Sequence, residues 1–208
     1  LIPLLKREGA SIMAPARAEW DVTLYPCGLA MPSNPDIIIH AAAYTDVSKA
    51  EVEKHDCQYL NVEATRRVSK LAYELNAKMV YVSSDYVTAK PMGFYAFTKK
   101  AGEAFVSKRT GLIIRTSFKP RGMWGENALK GVFHPVHTNC DWVDVIAKKV
   151  VDAICEDKRG VANIGTKPKT LRDLAMEEYP EVKSIPVEKA DELLGYIYPR
   201  DTTMKLTI

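Results

Sequence analysis

Apolar residues follow two different periods along the chain, and these predict alternating strands and helices. Residues 37–43 form an unbroken apolar run around one histidine, which is typical of a strand buried on both faces of a parallel sheet. From about residue 47 to 76 the apolar positions recur with the helical period, and Asn76 is placed to cap the helix. Residues 79–82 predict the next strand, and 95–108 the next helix. This alternation favours an open, mostly parallel α/β sheet.

The two ends of the chain carry weaker patterns. Leucines near the start share a helical face that ends at Gly9, and residues 11–14 predict a short strand. Residues 119–139 are rich in Pro and Gly and predict a linker or lid. Beyond them we expect a helix at 141–156, a strand at 161–164, and a helix at 171–178 that begins after the N-cap Thr170.

Composition narrows the class of protein. The 208 residues are 47% apolar and 26% charged, with a net charge of +3, so we expect no nucleic acid partner. No run approaches the roughly 20 apolar residues of a membrane span, and no signal peptide pattern is present. The four cysteines form no Cys-x-x-Cys pair, which indicates reduced thiols in a cytoplasmic protein.

The candidate chemistry begins with the spacing Tyr-x-x-x-Lys, which occurs three times. Tyr179 is followed by Pro180, which disfavours a helix there, so the pair Tyr179/Lys183 does not share a helical face. The pair Tyr86/Lys90 follows a strand where no helix has begun. We therefore select Tyr95/Lys99, the pair that falls on a patterned helix.

This pair has a chemical use beside the strand end that precedes it. A phenol with a pKa of about 10 is a poor acid–base group at neutral pH, and a nearby ammonium brings that pKa closer to the working range. Ser84, at the strand end, can hydrogen-bond the same substrate oxygen, so the three side chains suit the reduction of a carbonyl by a nicotinamide. The alternative is that Tyr95 is a half-buried helix residue and Lys99 a solvated one.

Other candidate residues have simpler interpretations. His134, His137 and Cys140 have a spacing that could serve a metal, but Pro135 interrupts any helix and no fourth ligand is near, so we predict no metal site. We interpret His40 as a packed, hydrogen-bonded core residue. Trp124 and Trp142 flank the predicted lid, and we expect them to pack in the core.

Several ordered stretches around the selected pair match one known family. They are residues 35–47, residues 49–51, Asn61, residues 80–87 (Val-Tyr-Val-Ser-Ser-Asp-Tyr-Val), residues 95–103 and residues 113–117. In these stretches the chain resembles the extended short-chain dehydrogenase/reductase superfamily, and within it the dTDP-4-dehydrorhamnose reductase group and its sugar-nucleotide relatives. The resemblance is dense from about residue 36 to 117. It implies a Rossmann-like, doubly wound parallel sheet in residues 1–118, and a mixed region with a lid and a small substrate lobe in residues 119–208.

The resemblance also implies roles for the matched positions. Tyr95 would protonate the 4-keto oxygen, Lys99 would lower the pKa of Tyr95 and hold the nicotinamide ribose, and Ser84 would orient the carbonyl. The implied cofactor residues are Ala41, Ala42, Tyr44, Asn61, Ser83 and Lys99, with Asp21 and Val22 at the adenine and Arg17 at a 2′-phosphate, which would favour NADP over NAD. The implied substrate residues are Asp85, Tyr86 and Ser117; for Asp85 and Tyr86 the alternative is hydrogen bonding within their own loop.

The sequence also departs from the family. The strand and Gly-x-x-Gly-x-x-Gly turn that receive the pyrophosphate are absent from it, the loop at 88–91 is short, and the segment after Ser117 is abbreviated. Either mobile loops are missing from the sequence, which we favour because ligands normally order such loops, or the protein truly lacks the turn.

We therefore expect NAD(P)H-dependent reduction of a 4-keto-6-deoxy sugar nucleotide by a cytoplasmic protein, and the resemblance implies a homodimer. The alternatives are an NAD-dependent epimerase or dehydratase of sugar nucleotides, and a non-catalytic regulatory protein that retains the fold.

Overall fold

The computed structural model describes residues 1–24, 35–124 and 131–207. Its strands are β1 Ile37–His40, β2 Lys78–Val82, β3 Leu112–Arg115, β4 Phe118–Lys119, β5 Val132–His134, β6 His137–Thr138, β7 Asp141–Trp142, β8 Gly160–Asn163, β9 Lys169–Thr170 and β10 Ser184–Pro186. Its α-helices are α1 Ile2–Arg7, α2 Lys54–Gln58, α3 Ala64–Glu74, α4 Phe94–Glu103, α5 Val143–Cys155, α6 Leu171–Met176 and α7 Glu188–Leu194.

Four parallel strands form the main sheet, in the order β1-β2-β3-β8. The register pairs His40 with Tyr81 and Val82 with Ile114, so these strands end at one edge of the sheet. The predicted parallel α/β sheet is confirmed. The strand β8 comes from the C-terminal part of the chain, so residues 119–208 contribute to the main sheet as well as to smaller ones.

Helices cover both faces of this sheet because successive strand residues point to opposite sides. On one face, Val80, Leu112 and Ile114 pack in a buried cluster with α5 and Leu5 of α1. On the other face, Tyr81 and Ile113 pack against residues of α3. This is the doubly wound arrangement that the family resemblance implies.

The predicted helix at 47–76 is built from several segments. A 3-10 turn at Lys49–Glu51 precedes α2, and a π-helical turn at Tyr59–Glu63 joins α2 to α3. Asn76 ends the helix with a positive φ of 54°, as expected of its capping role. A π turn widens a helix locally, and here it carries the buried side chain of Asn61.

Two local predictions differ from the structure. Residues 11–14 form no strand, since they pair with no neighbour in the described part of the chain and a strand needs one. The helix predicted at 95–108 ends at Glu103, and the chain then turns back towards β3, with the Ser107 hydroxyl accepting a hydrogen bond from the Thr110 amide.

The C-terminal part has its own core. Trp124 and Trp142 are buried in contact with each other, their ring centroids 5.6 Å apart, which confirms that they are core residues. Thr170 caps α6 through a capping box with Asp173. In the segment predicted as a linker or lid, β4, β5 and β6 are short strands, and residues 125–130 lie outside the described residues. Among the described helices, none has both the length and the apolar character needed to cross a bilayer.

Candidate active site

The candidate site lies where three parallel strands end. Ala41 and Ala42 follow β1 and are exposed, so another molecule can approach the backbone there. Ser83 and Ser84 follow β2, and Ser117 lies just beyond β3. In sheets of this kind ligands bind beyond the carboxyl ends of the strands, which is this edge.

The helix α4 brings the selected pair to this edge. Tyr95 lies in its first turn and Lys99 one turn later, as predicted. In contrast, Tyr86 lies in a 3-10 turn that ends at Thr88, and Tyr179 follows the end of α6 at Met176.

Tyr95 is a protonated phenol at neutral pH. Its side chain is half-buried. Burial raises the pKa of Tyr95 to about 12, and the Ser84 hydroxyl opposes this rise. The lowering of the pKa of Tyr95 by Lys99 that the resemblance implies does not show in the net shift, in which burial is the largest contribution, so that role of Lys99 stays a prediction. The phenol is therefore suited to give a proton rather than to take one.

Lys99 is buried rather than solvated. Its side chain is 2% exposed, and its ammonium donates a hydrogen bond of 2.8 Å to the carbonyl of Val82. The same ammonium lies 4.3 Å from the centre of the Tyr81 ring, a cation–π contact. Burial lowers the pKa of Lys99 to about 7, and the negative charge of Glu103 opposes this. A lysine in this environment changes its charge near neutral pH.

Glu103, which was not predicted from the sequence, connects Ser83 at the end of β2 to Arg115 through its carboxylate. Its carboxylate accepts two hydrogen bonds from Arg115, at 2.8 and 2.7 Å, and one from the Ser83 hydroxyl at 2.8 Å. These bonds and the positive charge of Arg115 outweigh burial and lower the pKa of Glu103. The signal in the sequence was the position of Glu103 four residues after Lys99, on the same helical face.

Asn61 supports the site from behind. Its amide is 1% exposed; it accepts a hydrogen bond from the Tyr44 backbone at 2.8 Å and donates one to the Thr98 hydroxyl at 3.0 Å. It thus ties the segment after β1 to α4. This agrees with its implied place behind the site, whereas its burial leaves it no surface for direct contact with a cofactor.

The implied substrate residues are placed differently from one another. Asp85 is fully buried and hydrogen-bonded to hydroxyl groups, one of them from Ser117, so a direct contact between Asp85 and substrate is wrong for this structure. Tyr86 is half-buried; its hydroxyl lies 3.2 Å from that of Tyr198, and its ring meets Tyr95 edge-on at 6.3 Å. Tyr86 therefore keeps a surface beside Tyr95. Tyr198 was not selected from the sequence, because nothing local to it indicates a neighbour 112 residues away.

The remaining implied cofactor residues lie on the β1 side. Arg17 is exposed and forms an ion pair with Asp21 at 3.3 Å, and Asp21 also accepts hydrogen bonds from Thr23. Val22 is half-buried against the core. The hydroxyl of Tyr44 donates to Glu53, which with burial raises the pKa of Tyr44. His40 is buried, lies 3.0 Å from the Thr65 hydroxyl and has a pKa lowered by burial to about 3, which confirms it as a packed core residue.

The doubly wound sheet and the side chains at its edge place the chain in the short-chain dehydrogenase/reductase class, of the extended, Rossmann-like type. Residues 1–149 match the family model described as RmlD substrate binding domain, and the chain belongs to that family.

Curated relatives agree with this assignment. The chain is 35% identical over 111 residues to the dTDP-4-dehydrorhamnose reductase of Shigella flexneri, covering 46% of this chain and 37% of the relative. It is 26% identical over 140 residues to that of Mycobacterium tuberculosis, covering 58% and 46%. The chain thus spans less than half the length of these relatives.

Solved structures share the fold. A dTDP-4-dehydrorhamnose reductase from Bacillus anthracis, solved in complex with NADP, superposes with a TM-score of 0.81 at 21% identity, covering 99% of this chain and 86% of that one. A protein described as a hypothetical dTDP-4-dehydrorhamnose reductase from Sulfolobus tokodaii gives 0.75 at 23% identity, covering 97% and 86%.

Proposed function

We propose that the protein reduces the carbonyl of a 4-keto-6-deoxy sugar nucleotide with NADPH or NADH. The observation that carries the proposal is that Ser84, Tyr95 and the buried Lys99 come together at one edge of the sheet, in a chain of this family. The two hydroxyls offer a hydrogen bond and a proton to one oxygen atom. That is what a ketone oxygen needs while its carbon accepts a hydride.

The chain's own residues perform the proton chemistry. When bound, the nicotinamide supplies the hydride for the carbonyl carbon. Tyr95 holds a proton at its phenolic oxygen, since its pKa is raised to about 12, and gives it to the developing alkoxide. On substrate binding the Ser84 hydroxyl, which donates to the Asp85 carboxylate at 3.3 Å in this structure, turns its one hydrogen towards that oxygen. The positive charge of Lys99 stabilises the phenolate left on Tyr95, so we expect activity to require protonated Lys99.

The residues at the edge of the sheet fit a nicotinamide cofactor on one side. Ala41 and Ala42 are small and exposed, and Tyr44 is fixed by Asn61, so these positions support a cofactor laid across the strand ends. Asp21 and Val22 support adenine binding further along, and the exposed Arg17 supports NADP over NAD.

A spectrophotometric assay tests this proposal. The full-length protein, NADPH and a 4-keto-6-deoxyhexose nucleotide are mixed, and the nicotinamide absorbance is followed. We expect Tyr95→Phe to lower kcat by about 10²- to 10⁴-fold, the usual contribution of general acid catalysis. The matched control is Tyr73→Phe, because Tyr73 is 87% exposed at the end of α3, which leads into the start of β2 and not to the end that carries Ser84.

The outcomes separate the candidate functions. Oxidation of NADPH that depends on Tyr95 supports the reductase. Cofactor that co-purifies with the protein, with turnover of substrate but no net NADPH consumption, favours the epimerase or dehydratase. An intact protein that binds no dinucleotide favours the non-catalytic alternative. We also propose a cytoplasmic homodimer, from the family resemblance; sedimentation of the full-length protein as a monomer would contradict it.

A further inference from the structure

Asp85 has a buried carboxylate, and its hydrogen-bond partners among the described residues are all hydroxyl groups. Its Oδ2 accepts from Ser117 and Thr202 at 2.7 Å each and from Thr138 at 3.3 Å. Its Oδ1 accepts from the Ser84 hydroxyl at 3.3 Å. The residue is 0% exposed, and the described partners include no lysine or arginine. A buried carboxylate without a cation is costly, which makes a purely structural role unexpected.

The two oxygens of this carboxylate have different hydrogen-bond partners. Three hydroxyls saturate Oδ2 and hold the carboxylate in one orientation. Oδ1 is left to Ser84, whose Oγ also accepts the backbone amide of Tyr86 at 3.2 Å. These two contacts hold the Ser84 hydroxyl in place at the end of β2.

The hydroxyl groups come from distant parts of the chain. Ser84 and Ser117 follow strands of the main sheet, whereas Thr138 lies 53 residues beyond Asp85 and Thr202 lies 117 residues beyond it. The carboxylate therefore joins the C-terminal part of the chain to the strand end that carries Ser84. Burial raises the pKa of Asp85, while the four hydroxyl groups oppose that shift.

We propose that Asp85 is a positioning residue: it holds the Ser84 hydroxyl in place at the end of β2, and the C-terminal hydroxyls of Thr138 and Thr202 hold Asp85 in turn. The inference rests on the proposed function for its effect on catalysis, but the geometry it describes can be observed without turnover. Asp85 then acts without contacting the substrate, and Thr202 acts on the site although it lies far from Ser84 in the sequence.

The test compares variants in full-length protein. Asp85→Ala removes both oxygens, whereas Asp85→Asn retains an oxygen that can accept from Ser84. Ser84→Ala and the double variant Ser84→Ala with Asp85→Ala complete a cycle. The matched control is Thr88→Val, because the Thr88 hydroxyl donates to the backbone carbonyl of Asp85 at 2.7 Å and not to its carboxylate.

We expect Asp85→Ala to lower kcat about tenfold with KM within about twofold, because a misplaced hydroxyl weakens a contact made mainly in the transition state. Asp85→Asn should recover most of this loss, Thr88→Val should match the wild type, and Asp85→Ala should add nothing in the Ser84→Ala background. An equal loss with and without Ser84, or a failure of Asp85→Asn to recover activity, would overturn the proposal.

Two further arms cover other outcomes. If Asp85→Ala does not fold, Thr202→Val replaces it. We expect a smaller loss of kcat that disappears in the Ser84→Ala background, and an equal loss in both backgrounds overturns the proposal.

If the wild type reduces no sugar nucleotide, the proposed function fails, and crystal structures of the variants test the inference. The Ser84 side chain should then leave its present rotamer in Asp85→Ala and keep it in Asp85→Asn; an unchanged rotamer in Asp85→Ala overturns the proposal.

Discussion

Lys99→Met should make the protein more stable at neutral pH while abolishing its activity. Methionine has nearly the shape of the lysine stem but carries no charge, so it removes the cost of burying an ammonium that is 2% exposed. The loss of activity is expected because the positive charge of Lys99 is proposed to stabilise the phenolate of Tyr95.

The size of the effect follows from the pKa of Lys99, which falls from 10.5 to about 7. A shift of about 3.5 units at about 1.4 kcal/mol each corresponds to about 4–5 kcal/mol of destabilisation below pH 7. Losing the hydrogen bond to Val82 and the contact with the Tyr81 ring costs about 2–3 kcal/mol. The net gain for Lys99→Met at pH 7 is therefore about 2 kcal/mol.

The sign of the pH dependence is fixed by proton binding. Between pH 7 and 10.5 the unfolded chain keeps a proton on Lys99 that the folded chain releases, so the stability of the wild type rises with pH in this window. The variant lacks that rise. Its advantage should fall by about 3 kcal/mol between about pH 7 and about pH 9.5, so that the two stability curves cross.

Urea unfolding of both proteins across this range measures the difference directly. The matched control is Lys148→Met, on the exposed side of α5, which should stay within about 0.5 kcal/mol of the wild type at every pH. A gap between wild type and Lys99→Met that does not change with pH would refute the reasoning, because it would mean that Lys99 keeps its proton in the folded state.

Two further substitutions test the packing behind the site by urea unfolding. Gly102→Ala should lower the free energy of unfolding by about 1–3 kcal/mol, because the added Cβ would lie 2.6 Å from the Tyr81 hydroxyl oxygen in a buried contact. An unchanged unfolding midpoint would contradict this and show that the helix can shift. Arg115→Met should lower the free energy of unfolding by about 3 kcal/mol, because it removes the arginine that donates two hydrogen bonds to the buried Glu103 carboxylate. The control Arg159→Met changes a side chain that is 52% exposed and should lower it by under about 1 kcal/mol. Equal effects of the two arginine variants would contradict the buried role of Arg115.

The parts of this site that were predictable depend on local sequence. The helical period selects Tyr95 and Lys99 among three equal spacings, and the structure places this pair on α4. The continuous apolar run before Ala41 predicts a buried strand in the same way, and that strand is β1.

The parts that were not predictable depend on contacts between distant residues. The burial of Lys99 and the raised pKa of Tyr95 arise from the packing of α4 on the sheet, which no local pattern specifies. The enclosure of Asp85 requires Thr202, 117 residues away. The absence of a strand at residues 11–14 depends on which neighbours are available to pair with, and not on the apolar character of that segment.

The most direct test of the central claim is isotope transfer. Full-length protein is given a 4-keto-6-deoxyhexose nucleotide and NADPH that carries deuterium at the transferred position, and the sugar product is analysed by mass spectrometry and NMR. The account predicts one deuterium at C4 of the product with wild-type protein and a rate of labelling reduced at least about 100-fold in Tyr95→Phe. A product without deuterium, or equal labelling by Tyr95→Phe, would contradict it.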